Sequence, residues 1–239
     1  MIISKTPVRV SFIGGGSDIP SFLDGFEGNV VSTTIDKYIY TIINKKHDEK
    51  VRISYSKTEN VNYVNSIKNL TIKEALKDFN IKKKIELVTL ADIPSSGSGL
   101  GSSSALLIGI IKALSHYNKL NNLDLVKRAY HIEKSRLKKK IGLQDACSCA
   151  FGGLNHFNFK QNGKITVSKI NIEQKKVKNL KNNLLLFYTG INRKAEKILN
   201  NIKIEKNKKN IYELSQLALE FKNELVSKNG NDLGKIIHE

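Results

Sequence analysis

An α+β fold is the architecture this sequence predicts, on two observations. Strand-like and helix-like segments are interspersed along the chain, and they lack the regular βαβ alternation of a doubly wound sheet. Val8, Val10 and Phe12 alternate with Arg9 and Ser11, the period of a half-buried strand, which Gly14, Gly15 and Gly16 bring to an end. Residues 29–43 and 51–55 are rich in β-branched and aromatic side chains and predict two more strands. A short helix is expected over 71–79 and a fourth strand over 85–90. A glycine-serine run then opens an apolar helix over 102–117, and a second helix is expected over 124–137. Further strands are predicted at 164–170 and 184–188, with lysine-rich amphipathic helices at 193–204 and 210–227. The polar stretch 171–183 is the best boundary between two domains, 1–170 and 171–239, and no internal repeat is present.

With 239 residues and 40% apolar content the chain has ample core. Its longest apolar stretch, Ala105 to Leu114, is interrupted by Gly109 and Lys112 and falls short of the roughly 18 residues that a membrane span needs. The N-terminus enters a strand-like segment with no secretory signature, so a cytoplasmic protein is expected. Cys147 and Cys149 stand one residue apart, poorly placed for a disulfide and without zinc or redox spacing; they read as small buried residues. The net charge of +18 comes from 35 lysines and only five arginines, scattered in short runs such as Lys82–Lys84 and Lys138–Lys140. Base readout and single-strand binding call for arginine forks or interleaved aromatics, so the basic residues read as solvated surface and no nucleic-acid partner is expected. The positive field would still attract nucleotides and phosphorylated metabolites.

Four features carry chemistry. Ser95 to Ala105 reads SSGSGLGSSSA; it follows a strand and runs directly into a helix. Glycines let the backbone approach an anion, and the free N–H groups and dipole of a helix start favour phosphate. Serine hydroxyls in the first turn can ligate Mg²⁺ or hold phosphate oxygens. The run is neither a Walker A loop nor a dinucleotide fingerprint. Secondly, Glu133 sits inside the apolar stripe Leu123, Val126, Tyr130 and Leu137, where a carboxylate needs a partner cation, either Mg²⁺ or a lysine or arginine. Thirdly, Asp145 in Gly142-Leu143-Gln144-Asp145-Ala146 is a candidate general base, or else a helix N-cap. Lastly, Arg9 and Asp18 flank the triple glycine. Arg9, opposite the apolar face of its strand, could neutralise a transferring phosphoryl group, and Asp18 could accept hydrogen bonds from sugar hydroxyls or close an Asx-turn.

Taken together these segments resemble the GHMP kinase superfamily. PVRVSFIGGGSD at 7–18 is similar to its first motif and residues 93–105 to its second; Glu133 and Asp145 are spaced like the metal glutamate and catalytic aspartate of its sugar kinases. The resemblance implies a two-domain fold, with a ribosomal protein S5 domain 2-like N-terminal domain and a partial ferredoxin-like C-terminal domain. It implies ATP and Mg²⁺ as cofactors. Ser96, Gly97, Ser98, Gly99, Leu100, Gly101, Ser102, Ser103 and Ser104 would cradle the ATP phosphates, with Ser103 and Glu133 on the metal and Ser102 and Ser104 as register alternatives. Asp145 would take the acceptor's proton, Arg9 would stabilise developing charge, and Asp18 would hold the sugar beside Gly15 and Gly16.

Galactokinases place a glutamate and a histidine where this chain has Gly15 and Gly16. The glycine-rich form, with SYSKTE at 54–59, GLQDA at 142–146 and TGINRKA at 189–195, resembles the heptose 7-phosphate kinase branch. That implies phosphorylation of the anomeric C1 hydroxyl of a sugar phosphate, D-glycero-D-manno-heptose 7-phosphate, for surface polysaccharide synthesis, with Arg193 as candidate for the 7-phosphate. Nothing in 160–239 matches the family's third, glycine-rich motif, so the comparison also implies a chain lacking the end of its C-terminal domain. Another small-molecule kinase of the family, for fucose, galactose or an isoprenoid precursor, and a non-catalytic nucleotide or sugar-phosphate binder are the alternatives.

Overall fold

The computed structural model describes residues 1–23, 25–94, 97–187, 189–191, 204–227 and 232–238. Its spine is β2 (Gly28–Lys45), a strand of 18 residues dense in valine, isoleucine and threonine. β1 (Ile2–Ile13) runs antiparallel along one edge, from Ile2 opposite Ile43 to Ile13 opposite Val31. The other edge is shared. Gly28 to Thr33 pair with β6 (Leu154–Phe159), and Ile39 to Lys45 pair with β5 (Ile85–Ala91). With β3 (Val51–Ser54), β4 (Thr58–Val61) and β7 (Ile165–Lys169) the seven-stranded sheet has the order β4-β3-β5-β2-β6-β7, β1 lying on β2. Only the β3–β5 pairing is parallel. This mixed, mostly antiparallel sheet is the predicted α+β arrangement.

Adjacent strand residues point to opposite faces, and Val30 and Val31 show what each face of the sheet buries. Val30 belongs to the main core, which surrounds α2 (Ser102–Leu114) and draws in α1 (Leu70–Asp78), α3 (Asn122–His131) and α4 (Gln144–Phe151). Leu107, Ile108, Ile110 and Ile111 of α2 are all buried, as a helix that is apolar all round requires. At Gly109 a Cβ would lie 3.0 Å from the hydroxyls of both Thr6 and Thr41, so glycine sets how closely α2 approaches the sheet. Val31 belongs to a second core with Ala218, Phe221 and Leu225 of α6 (Ile204–Ser227) and Ile236 of α7 (Leu233–His238). Phe12 stacks on Phe221 there, with ring centroids 5.4 Å apart.

Several boundaries differ from expectation. The second predicted helix starts at Asn122 and gives way at Ile132–Arg136 to a π-helical turn. The C-terminal helix begins at Ile204, ahead of the predicted 210. Residues 184–188 were expected as a strand, yet Leu184–Phe187 join no ladder and are 48–79% exposed. A strand needs a neighbour to satisfy its backbone groups, and none of the described residues pairs with this run. The helix expected over 193–204 falls mostly outside the described residues. α5 (Gln174–Asn182) occupies the stretch expected as polar boundary. No helix among the described residues is long and apolar enough to cross a membrane.

A buried polar network fastens α6 to the sheet. Asn29 Nδ2 donates to Ser215 Oγ at 3.0 Å, Ser215 donates to the Glu27 carbonyl at 2.8 Å, and His156 Nε2 lies 2.9 Å from Asn29 Oδ1. Burial, with a smaller contribution from Lys222, lowers the His156 imidazole to about 4. The unfolded chain therefore takes up this proton near pH 6.5 while the folded chain refuses it, so the stability is complete above pH 6.5 and declines as pH falls toward 4. Replacing His156 with glutamine is expected to remove about 1–3 kcal/mol of the stability difference between pH 7 and pH 4.5. Urea midpoints of both proteins at the two pH values check this; equal pH slopes would refute it.

Candidate active site

The glycines of the serine-rich run do what their positions predict. Gly97, Gly99 and Gly101 have φ of +73°, +72° and +71°, and α2 starts at once with Ser102. Alternate left-handed residues coil the backbone tightly and turn N–H groups inward, a shape suited to anions. Gly101 is the N-cap residue and no side chain caps the helix, so its first-turn N–H groups are left for an external acceptor. Ser96 lies outside the described residues, as does Arg193.

Arg9 pins this loop. Its backbone N–H donates to the Leu100 carbonyl at 3.0 Å, and its Nη1 donates to the Gly99 carbonyl at 2.6 Å. Nε and Nη2 both donate to Asp145 Oδ1, Nε at 3.0 Å. Arg9 and Ser11 share the polar face of β1 as its alternation predicts, and Ser11 Oγ donates to Gln144 Oε1 at 2.8 Å. Asp145 is not the N-cap: Leu143 holds that position, and Asp145 sits in the first turn of α4 with its carboxylate turned to Arg9. A Cβ on Gly101 would meet Arg9 Cγ at 3.2 Å and Asp145 Oδ2 at 3.6 Å. The glycine loop, the arginine and the aspartate therefore converge.

Asp18 is 1% exposed. Its Oδ1 accepts from the Gly16 N–H at 3.0 Å and from Gln144 Nε2 at 3.4 Å, and its Oδ2 from the Gln144 N–H at 2.9 Å. These bonds tie the triple-glycine turn to the start of α4, and they do not form an Asx-turn. Gly142 is the other half of this lock, since a Cβ there would collide with the Asp18 carboxylate. Burial, with Asp145 nearby, raises the Asp18 carboxyl above its ordinary range, against the pull of the backbone N–H groups. Beside Gly14 and Gly15 opens a cavity of about 260 Å³, lined also by Ser11, Leu214, Leu217 and Ile236.

Glu133 lies in the π-helical turn and is 3% exposed. Of the three candidate serines, Ser102 and Ser104 are buried, and Ser103 is the one whose hydroxyl meets Glu133, donating to Oε1 at 3.4 Å. The partner cation expected for a buried carboxylate is present: Lys139 Nζ stands 3.2 Å from the same oxygen. Burial raises the Glu133 carboxyl and Lys139 opposes that shift. Carboxylate and hydroxyl together form an all-oxygen pair of the kind Mg²⁺ takes alongside phosphate oxygens and water. Among the described residues no group of three or more histidine, cysteine, aspartate or glutamate side chains could cage a metal without such help. Cys147 and Cys149 are buried behind the site and their thiols are pushed up by burial, which disfavours the thiolate form.

Residues 62–153 match the family model described as GHMP kinases N terminal domain, a span holding the phosphate loop, Glu133 and Asp145. The chain is 31% identical to the D-glycero-alpha-D-manno-heptose 7-phosphate kinase of Campylobacter jejuni, across 99% of this chain and 75% of that protein. It is 27% identical to the galactokinase of Pyrococcus furiosus, across 80% of this chain and 54% of that protein. Among solved structures, a D-glycero-D-manno-heptose 1-phosphate kinase from Bacteriodes thetaiotaomicron superposes with a TM-score of 0.85 at 24% identity, covering 99% of this chain and 76% of that one. A family match placed over the glycine loop, Glu133 and Asp145, and a relative aligned along the whole chain, lead to one conclusion: the chain belongs to the GHMP kinases and is an ATP-dependent phosphotransferase of the sugar-kinase kind.

Proposed function

We propose that this chain transfers the γ-phosphoryl group of ATP to the anomeric C1 hydroxyl of a heptose 7-phosphate, with Mg²⁺ as the metal. The observation that carries the reading is the Arg9–Asp145 pair set against the glycine loop at the open N-terminus of α2. In the reaction, the loop N–H groups and the helix dipole receive the phosphates, and phosphoryl transfer then needs positioning and charge neutralisation more than covalent help. Asp145 accepts the proton of the attacking hydroxyl at its carboxylate, and Arg9, already donating to that carboxylate, holds its orientation and offers positive charge to the transferring group. Glu133 and Ser103 would hold Mg²⁺, which when bound neutralises charge on the phosphate oxygens. The cavity beside Gly15 would offer room for the sugar; Gly15 lines it and is one of the two glycines that stand where galactokinases have the bulkier pair. Arg193 is the proposed anchor of the 7-phosphate.

The heptose assignment draws on the Campylobacter jejuni relative, and the galactokinase relative motivates the competing neutral sugar. ADP release from Mg-ATP across heptose 7-phosphate, heptose, galactose and fucose tests both. Turnover on heptose 7-phosphate at least about tenfold above the neutral sugars is expected, as a paired phosphate is worth about that much. Preference for galactose or fucose, or no turnover with intact ATP binding, would overturn the substrate assignment.

A further inference from the structure

Lys139 occupies the space beside Glu133 by construction rather than by surface chance. Its backbone N–H donates to the Glu133 carbonyl at 3.0 Å, so the loop folds back onto the very residue whose side chain its ammonium meets. Lys138, with φ of +56°, makes the reversal that this requires. Lysine adopts that conformation only at some cost, and its neighbours must hold it there. The preceding π-helical turn closes with Leu137 N–H on the Ile132 carbonyl at 3.0 Å, which places residue 139 over residue 133. Lys134, Lys138 and Lys140 are exposed, whereas Lys139 is turned inward. Its ammonium and the Ser103 hydroxyl both address Oε1 of Glu133, the oxygen that points at the first turn of α2.

A divalent ion held by Ser103 and Glu133 would need that same oxygen. An ammonium and a metal ion on one oxygen repel, and a buried carboxylate without either is costly. The two cations are therefore alternatives. We propose that Lys139 is the resident counter-cation of the Glu133 site: it keeps the carboxylate paired before nucleotide arrives, the divalent ion enters by displacing it, and the freed ammonium turns toward the nucleotide's phosphates. This rests on the reading of Ser103 and Glu133 as the metal pair. The loop that carries Lys139 continues through Gly142, locked on Asp18, to Asp145, so the exchange of cations is felt along the segment that holds the base.

The test is binding of Mn²⁺, as a stand-in for Mg²⁺, to the nucleotide-free 239-residue chain, followed by electron paramagnetic resonance of the free ion. Lys139→Met is expected to bind Mn²⁺ about tenfold more tightly than the parent, the size usual for a competition of this kind. Lys139→Arg keeps a cation and is expected to bind Mn²⁺ within about threefold of the parent, inside that same coupling range. Unchanged or weaker binding by Lys139→Met, with binding abolished in Glu133→Gln, would overturn the proposal and leave the metal pair standing. Mn²⁺ binding indifferent to Glu133→Gln would instead remove the metal pair itself. Should the methionine variant not fold, the parent supplies a second reading. Acetylation of Lys139, followed by peptide mass spectrometry, is expected to accelerate when Mn²⁺ is added without nucleotide, because the ammonium then loses its carboxylate partner; an unchanged rate would overturn the displacement.

Discussion

Asp145→Asn is expected to lower kcat by about a thousandfold while ATP affinity stays within about threefold, since a positioned base contributes roughly 10²–10⁴ and the phosphates are held elsewhere. Asparagine keeps a carbonyl oxygen where Oδ1 now accepts from Arg9 Nε at 3.0 Å, so the arginine and its 2.6 Å bond to Gly99 are retained. The change thus removes the proposed proton acceptor and leaves the loop in place. Steady-state ADP release and calorimetric ATP titration separate the two effects. An asparagine variant turning over within about tenfold of the parent would show that the carboxylate is a positioning group, short of the usual worth of a base. Asp145→Ala adds a control: Arg9 loses its partner, so ATP binding shifts as well as kcat.

The largest effect on stability is expected at Gly14. Its φ is +93°, and a Cβ would overlap the Asn29 carbonyl oxygen and stand 2.9 Å from Val30 Cα, both backbone atoms of β2 that cannot swing away. Left-handed strain of about 1–2 kcal/mol adds to the overpacking, so Gly14→Ala should destabilise by about 3 kcal/mol or more. Gly16 has a similar φ of +97° but open space around its Cβ position. Gly16→Ala should therefore cost only the conformational strain, about 1 kcal/mol. Urea unfolding of the pair measures the difference. Equal losses would mean that the turn yields to admit a side chain, and that the collision has no energetic weight.

The contrast between those two glycines also shows which parts of the site could be read from residues alone. A run of alternating glycines ahead of an apolar helix is a local signal of an anion-accepting helix start, and the structure adds the left-handed angles that shape it. Burial of Glu133 followed from its place in an apolar stripe, and so did the demand for a cation. Which cation could not be read, because Lys139 looks like one member of a solvated run until a π-helical turn and a left-handed Lys138 fold it inward. Asp18 was expected to hold a sugar, and what its residue type could not show is that its carboxylate also accepts from Gly16 and Gln144; those bonds need Gly142, more than a hundred residues away, to leave room for it. α4 escaped notice because QDACSCAF has small residues on every side and no apolar period. β6, reading LNHFNF, hides its strand behind two asparagines and a histidine, of which His156 is buried against Asn29. Leu184 to Phe187 are apolar throughout, as a buried strand would be, and still join no ladder among the described residues, since composition cannot supply a neighbour.

The contacts that assemble the site span most of the distance between the first strand and α4. Arg9 and Asp145 are 136 residues apart, and Asp18 and Gln144 are 126 apart. A ribosome adds roughly 5–20 residues each second, so β1 waits many seconds after synthesis before its partner aspartate exists. Over the first 90 residues of that interval Arg9 has neither partner, after them it has only the glycine loop, and the Asp18 turn has no Gly142 to close on. Nucleotide that meets the emerging chain would find half a cradle. Arg9 thus gains its full set of partners only once α4 has been made, with the glycine loop available before the aspartate.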